Sequence, residues 1–204
     1  MKNSKDIKES VINAKLIRRA YLLAFTITLA SVPPLSISQE VGPGLEPIFK
    51  DITEIVMVVE NLDESVKKQW EIFGIGPWEI WTLDASTVND MSIRGTPEDF
   101  SIRIAYTKIG NIHWELIEPL DKTSTYYEFL QTHGEGVHNI VFEVTDYDEA
   151  STHMKKRGIV SYNSGNWQGV RFINFDTRGV LPVIAELFHV KEGASFPPPE
   201  RTYP

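Results

Sequence analysis

The side chains in this chain best suited to chemistry are carboxylates set in apolar surroundings. Glu115 lies inside HWELI, Glu186 inside VIAELF, and Glu54 opens the buried apolar run of DITEIVMVV. A charged group buried without a partner is too costly to keep, so Glu115 and Glu186 each require one. His113 stands two residues before Glu115 and shares its face of a strand. There it could serve as a general base or an extra metal ligand, or simply be a hydrogen-bonded interior histidine. Arg103 in FSIRIAYTK and Arg171 in GVRFINF are cations in largely apolar stretches. Pointing inward, either would grip a substrate carboxylate or phosphate in bidentate fashion, or neutralise nearby acids. Trp78, Trp81, Tyr106 and Trp167 could line a pocket or fill a core. Trp78 and Trp81 are three apart, so a regular strand sends only one of them to a given face. No glycine-rich phosphate loop, nucleophile elbow or catalytic triad is visible.

The elements that must position these groups occur in two similar series. Ile52 to Val59 reads as a strand, with a helix from Ser65 to Phe73 capped by Asn61 or Asp63. Val66, Trp70 and Phe73 have helical spacing and share one face of it. Gly74-Ile75-Gly76-Pro77 ends that helix and Trp78 to Leu83 is the next strand. Asp84 to Glu98 is polar and reads as a long loop or irregular edge. Phe100 to Lys108 and Ile112 to Ile117 form a hairpin across Ile109-Gly110-Asn111. Pro119 to Gly136 connects the halves and holds a short helix, Ser124 to Thr132, with Tyr127, Phe129 and Leu130 for packing.

The second series then repeats the order of the first. His138 to Val144 is a strand, Glu149 to Arg157 a helix ending at Gly158, and Ile159 to Tyr162, Val170 to Phe175 and Pro182 to Phe188 are strands. Overlaying Glu54 on Asn139 brings Asp63-Glu64 onto Asp148-Glu149 and Gly74 onto Gly158 within one residue. A duplicated βαβββ unit is the most economical account. The boundaries are residues 51–118 for the first module, 119–135 for the connector, 136–190 for the second module and 191–204 for a Pro-rich tail, extended on the surface.

Composition narrows the function classes. The absence of cysteine excludes disulfides, thiolate metal sites and thiol nucleophiles. Net charge is -8, yet residues 1–38 carry six basic and two acidic side chains, so the remainder carries about -12. That balance argues against nucleic acid as a partner. Residues 1–38 have the layout of a cleavable secretory signal: a basic region ending at Arg18-Arg19, the uncharged run Ala20 to Val32, Pro33-Pro34, then Ser36 and Ser38. The run is shorter than the roughly 20 residues of a membrane-spanning helix. Export to the periplasm or medium is therefore expected, with no stable span after cleavage; the alternative is an uncleaved anchor or a buried helix. Residues 39–50 begin Gly/Pro-rich and read as a linker.

With these segments in order, the chain resembles the vicinal oxygen chelate superfamily, which contains glyoxalase I, methylmalonyl-CoA epimerase, extradiol dioxygenases and bleomycin-resistance proteins. The resemblance covers about residues 50–190. It is carried by DITEIVMVVENLDES with FGIGPWEIW, then IHWELIEPL, GEGVHNIVFEV and GVLPVIAEL. It implies an α+β fold in which two tandem βαβββ modules form a curved mixed sheet around a funnel-shaped site holding a divalent metal. One ligand is expected from the first strand and one from the last strand of each module, which here fall on Glu54, Glu115, Asn139 and Glu186. The last strands agree with the family. The first strands carry Glu54 and Asn139 where the family normally has histidine, and His138 stands one residue early, on the opposite face of a regular strand.

An all-oxygen shell suits Mg, Mn or Ca better than Zn. Without a cation, at least one of three converging carboxylates would hold its proton. The resemblance thus implies a metal-dependent lyase, isomerase or epimerase acting on a small oxygen-chelating substrate. In that reading His113 or Glu115 moves the proton, while Arg103, Tyr106, Trp78 and Arg171 hold the substrate. The epimerase-like branch also implies a carboxylate base near the strand of Arg103, and none stands at the matching place. Dioxygenase chemistry calls for two histidines and a carboxylate on Fe(II), and those histidines are missing. The alternative is an exported, metal-free small-molecule-binding protein of the bleomycin-resistance type. Family analogy implies a homodimer formed through edge strands.

Overall fold

The first strand of the fold, β1 (Phe49–Val58), begins earlier than its β-branched core suggests because Phe49 stacks on Phe142 with ring centroids 4.1 Å apart. This computed structural model describes residues 47–204. The region read as a leader (1–38) and most of the linker lie outside the described residues. Among the described residues, no helix is long and apolar enough to cross a membrane.

After β1 come α1 (Leu62–Phe73), β2 (Trp78–Leu83), β3 (Val88–Ile93), β4 (Thr96–Pro97), β5 (Ile102–Ile109) and β6 (Ile112–Pro119). The connecting helix α2 (Thr125–His133) leads to β7 (Gly136–Val144), α3 (Tyr147–Lys156), β8 (Ser161–Trp167), β9 (Val170–Phe175), β10 (Ile184–Val190) and β11 (Arg201–Tyr203). The strands form one mixed sheet in the order β11-β2-β5-β6-β1-β7-β10-β9-β8-β3-β4. Its two halves mirror each other. β1 runs parallel to β6 as β7 does to β10, and β1 meets β7 antiparallel at the centre. The α+β architecture of two βαβββ modules is thus present, as a curved, unclosed sheet.

Local chemistry explains the elements. Asn61 caps α1 by accepting from the Glu64 N–H at 2.9 Å, and Asp146 caps α3 in the same way at Glu149. Gly74 closes α1 in the left-handed conformation (φ 66°), its N–H bonded to carbonyls of the last turn. The α1 face read from spacing is only partly buried. Leu62 and Val66 pack under Trp78, Ile80, Ala105 and Leu116, whereas Phe73, at the helix end, is 72% exposed. On the other module, Tyr147, Ala150 and Met154 of α3 pack on Ile173, Phe175 and Leu187. Both helices cover the convex face, and α2 packs on the concave one. There Tyr126 is the buried aromatic, while its neighbour Tyr127 is only half-buried.

The stretch Asp84 to Glu98, expected as a long loop or irregular edge, is an irregular edge of the sheet. It forms β3 and β4, which pair with each other, and β3 also pairs with β8 of the other module. Val88 and Met91 bury their side chains in the concave core, and the intervening polar residues hid that pattern. Only Asp84–Thr87 link β2 to β3, in a turn where Thr87 and Val88 N–H groups reach the Asp84 carbonyl. Five residue steps reach at most about 17 Å, whereas the eight strand spacings between β2 and β3 would cover about 38 Å if flat. The sheet must therefore curl until its ends approach, and the Trp81 and Trp167 rings meet edge-on across the gap, 5.7 Å between centroids.

The tail is mostly exposed, and its end is tied down, because β11 pairs with the outer edge of β2. Gly165 makes the closure fit: a Cβ there would sit 2.6 Å from the Phe172 ring and 2.8 Å from Val88. Replacing Gly165 by Ala is expected to destabilise the fold by about 1–3 kcal/mol through overpacking. Urea unfolding should show a lower midpoint at unchanged slope; an unmoved midpoint would mean that β3 does not press on β8.

Candidate functional site

The concave face encloses a pocket of about 580 Å³, its mouth included. Strand alternation delivers its polar floor. In β1, Glu54, Val56 and Val58 point inward; in β6, Glu115 and Ile117; in β10, Glu186 and Phe188. Glu54 and Glu186 are the cross-strand partners of Val141 from its two sides, so a single strand separates them. Glu115 pairs with Val56 of β1 and with Tyr106 of β5. The walls are apolar and aromatic: Trp81 and Leu83, Ile102 and Ile104, Tyr106 and Tyr126, Trp167, Val170, Phe172, and Phe196 from the tail.

Burial governs the chemistry of the three acids. Desolvation raises Glu54 to about 7, partly offset by the Tyr106 hydroxyl, which donates to Glu54 Oε1 at 2.7 Å. Desolvation and then the Glu54 charge raise Glu186 to about 8, against hydrogen bonds from Asn174 and Asn139. Glu115 is raised well above the carboxylate range by burial, then by Glu54 and Glu186. Like charges in one low-dielectric pocket do not all ionise near neutrality.

Asn139 does not line the pocket. It is fully buried, and its Nδ2 donates to Glu186 Oε2 at 2.7 Å. Its Oδ1 then accepts from His138 Nδ1, 2.6 Å away, which fixes the tautomer and leaves His138 Nε2 buried without a partner. Desolvation lowers His138 to about 4. The expectation that His138 faces away from Asn139 fails because the ladder shifts register between Val56 and Met57: Asn139 faces Val56 and Val137 faces Met57. The extra residue is a bulge, and both side chains turn inward. Asn139 and His138 thus orient Glu186.

The remaining expected residues divide cleanly. Tyr106 is in the pocket. Its ring stacks on His113 at 4.8 Å, so His113 backs Tyr106 rather than lining the cavity, and desolvation followed by Lys108 lowers its proton affinity. Trp78 is not a pocket residue: it is fully buried beneath α1 with its indole N–H on the Ile75 carbonyl, and strand parity gives the pocket Trp81 instead. Arg103 points to the convex face, where it pairs with Asp63 and Glu118, each at 3.2 Å. Arg171 does likewise, bonded to Asp148 at 2.8 Å and lying over the Tyr147 ring. Neither arginine reaches the site. Residues not anticipated include Tyr126, which the spacing of α2 placed beside the wrong tyrosine, and Phe196, hidden in a tail with no periodicity.

Residues 53–173 match the family described as the glyoxalase/bleomycin resistance protein/dioxygenase superfamily. The chain belongs to this superfamily. It is 29% identical over 97 residues to the uncharacterized protein YqjC of Bacillus subtilis, a match covering 45% of this chain and 69% of that one. Its fold is similar to Streptomyces coelicolor methylmalonyl-CoA epimerase in complex with 2-nitronate-propionyl-CoA (TM-score 0.54, 22% identity, 70% of this chain and 98% of that one). A second similar structure is methylmalonyl-CoA epimerase from Mycobacterium tuberculosis (TM-score 0.52, 17% identity, 72% and 92%).

Enzymes of this superfamily typically use a divalent metal. Of the four oxygen ligands expected here, Glu54, Glu115 and Glu186 reach the pocket and Asn139 does not. Both polar atoms of Asn139 are engaged, Glu54 is engaged by Tyr106, and among the described residues no group of three or more ligating side chains is gathered closely enough to hold a metal ion. The residues as arranged do not form a metal shell. Elemental analysis of the purified protein is expected to find no stoichiometric Mg, Mn or Ca, and chelator to leave Tm unchanged. One tightly held ion per chain, lost in Glu115→Ala, would reverse this.

Stability should follow the acids. Glu54 and Glu186 keep protons to about 7 and 8 when folded but lose them near 4.5 when unfolded. The folded chain therefore binds more protons in that window, and these two acids lower stability as pH rises from about 4.5 to about 8. Glu186→Gln retains an acceptor for Asn139 and removes this cost. Thermal melts should show it stabilised by on the order of 3 kcal/mol at pH 8 and little changed at pH 4.5. An equal effect at both pH values would show that folding does not raise the Glu186 pKa.

Proposed function

We propose that this chain is an isomerase or epimerase that moves a proton on a small neutral substrate with an apolar body and carbonyl or hydroxyl oxygens. The observation that carries the reading is the pair of buried glutamates, Glu54 and Glu186, poised near neutral pH on either side of Val141. A general base works best with a pKa close to the operating pH, and a carboxylic acid kept neutral in an apolar site can donate a hydrogen bond to a developing oxyanion.

On this reading, the ionised Glu54 takes a proton from the carbon next to a carbonyl. The electron pair moves onto the carbonyl oxygen, where protonated Glu115 donates a hydrogen bond to it. Protonated Glu186, held by Asn139 through Oε2, then delivers its proton to carbon from the other side of Val141. Glu54 ends protonated and Glu186 ionised, and exchange with solvent resets the pair. Among the described residues no Lys, Arg or His lines the pocket, so a free carboxylate or phosphate on the substrate would meet only like charge there. That supports a neutral substrate. The alternative of a metal-free small-molecule-binding protein draws on the predominantly aromatic and aliphatic walls.

The two readings separate in one experiment. A panel of neutral ketones and hydroxyketones is incubated with the protein in D2O, and loss of the α-proton signal is followed by NMR. Catalysed exchange is expected, slowed about 10²–10⁴-fold by Glu54→Gln. Its kcat/KM should rise as Glu54 ionises near 7 and fall as Glu186 loses its proton near 8. Panel members that bind without any exchange would leave the binding-protein reading standing.

A further inference from the structure

The C-terminal tail closes the one side of the pocket that the sheet leaves open. β10 ends at Val190, and the chain turns at Lys191, whose N–H donates to the Gly169 carbonyl at 3.0 Å. At its far end the tail is tied to β2. The Glu200 N–H donates to the Ile80 carbonyl at 2.9 Å, the Glu200 carboxylate accepts from Thr82 N–H and hydroxyl at 2.8 and 3.1 Å, and β11 continues the pairing. Between these anchors the segment Ser195 to Pro199 is attached to the body differently. Three of its residues are prolines without a backbone donor, and it makes a single hydrogen bond to the body among the described residues, from the Trp81 indole N–H to the Pro197 carbonyl at 3.0 Å.

What holds the middle of the strap is one ring. Phe196 lies 5.2 Å from the Trp167 ring centroid and 6.0–6.1 Å from those of Tyr106, Trp81 and Phe188. It lines the pocket on one side and is 38% exposed on the other. These contacts bridge the two ends of the sheet, since Trp81 belongs to the first module and Trp167 to the second. Apart from Tyr126 of α2, the other lining residues lie on strands and cannot move without breaking the ladder, whereas Phe196 can swing out at the cost of ring contacts and one hydrogen bond.

We propose that residues 195–199 are a hinged strap over the pocket mouth, and that Phe196 is its plug: a ligand enters by displacing the ring, and the ring in place limits the length of ligand that the closed pocket accepts. The inference rests on the pocket as the ligand site and not on proton transfer there, so loss of the exchange activity would leave it intact.

The experiment uses the full chain and a neutral apolar probe, N-phenyl-1-naphthylamine, followed by stopped-flow fluorescence. Phe196→Ala is expected to speed probe association about tenfold relative to the parent chain. Binding by Phe196→Ala but not by the parent chain would support the plug equally. Identical rates in the parent chain and Phe196→Ala, or no binding by either, would overturn the proposal.

Discussion

Closure of the sheet is the constraint on which the rest of the structure depends. β2 and β3 are joined by four residues, yet they lie eight strand positions apart. No flat sheet satisfies that link, so curvature here is imposed by chain connectivity as well as by the ordinary twist of strands. Curvature in turn gives the concave face an interior. Side chains that would stand apart on an open sheet, such as Trp81 and Trp167, are brought into contact, and acids from three central strands are enclosed together. Gly165 and the β3 core residues belong to this closure rather than to either module alone.

Enclosure then sets the chemistry. A carboxylate on an open strand would titrate near its ordinary value; inside this cavity, loss of hydration dominates every other influence on Glu54, Glu115 and Glu186. The hydrogen bonds that the protein supplies are too few to restore ionisation of all three. Tyr106 stabilises charge on Glu54, and Asn139 holds one oxygen of Glu186. Glu115 has no counterpart to either. The acids are therefore differentiated by their neighbours, which is what an acid and a base sharing one pocket require.

Much of this was legible in the sequence. Strand and helix order follow from period and caps, and the inward glutamates Glu115 and Glu186 announce themselves as charges inside apolar strands. Tyr106, read as lining a pocket or filling a core, lies in the pocket, whereas Trp78, read in the same way, does not. What was hidden had physical causes. β3 is a polar strand whose core-facing residues Val88, Met91 and Ile93 do not follow a strict alternation, and its partner β8 is remote in sequence. The bulge that turns both His138 and Asn139 inward cannot be read from alternation, because it is the interruption of alternation. Phe196 lies among prolines, where neither helical nor strand spacing exists, and its position depends on an edge pairing made several residues later.

The two arginines show why the convex and concave faces must be read separately. Arg103 on β5 and Arg171 on β9 occupy corresponding strands of the two modules, and their partners Asp63 and Asp148 occupy the first turns of the corresponding helices. Each pair ties a helix start to the sheet, where the carboxylate also suits the helix dipole. So exposed an ion pair contributes little to stability, and its value is orientation of the helix on the strand. That device is repeated on the convex face, while the concave face is repeated only in part: Glu54 in one module corresponds to Asn139 in the other, and only the last strands match with Glu115 and Glu186. Duplication has kept the scaffold symmetric and made the pocket asymmetric. A symmetric pocket would have left two equivalent acids competing for one proton. Replacing one of them by an amide that orients its neighbour separates the roles, and it does so at the bulge where strand regularity is already broken.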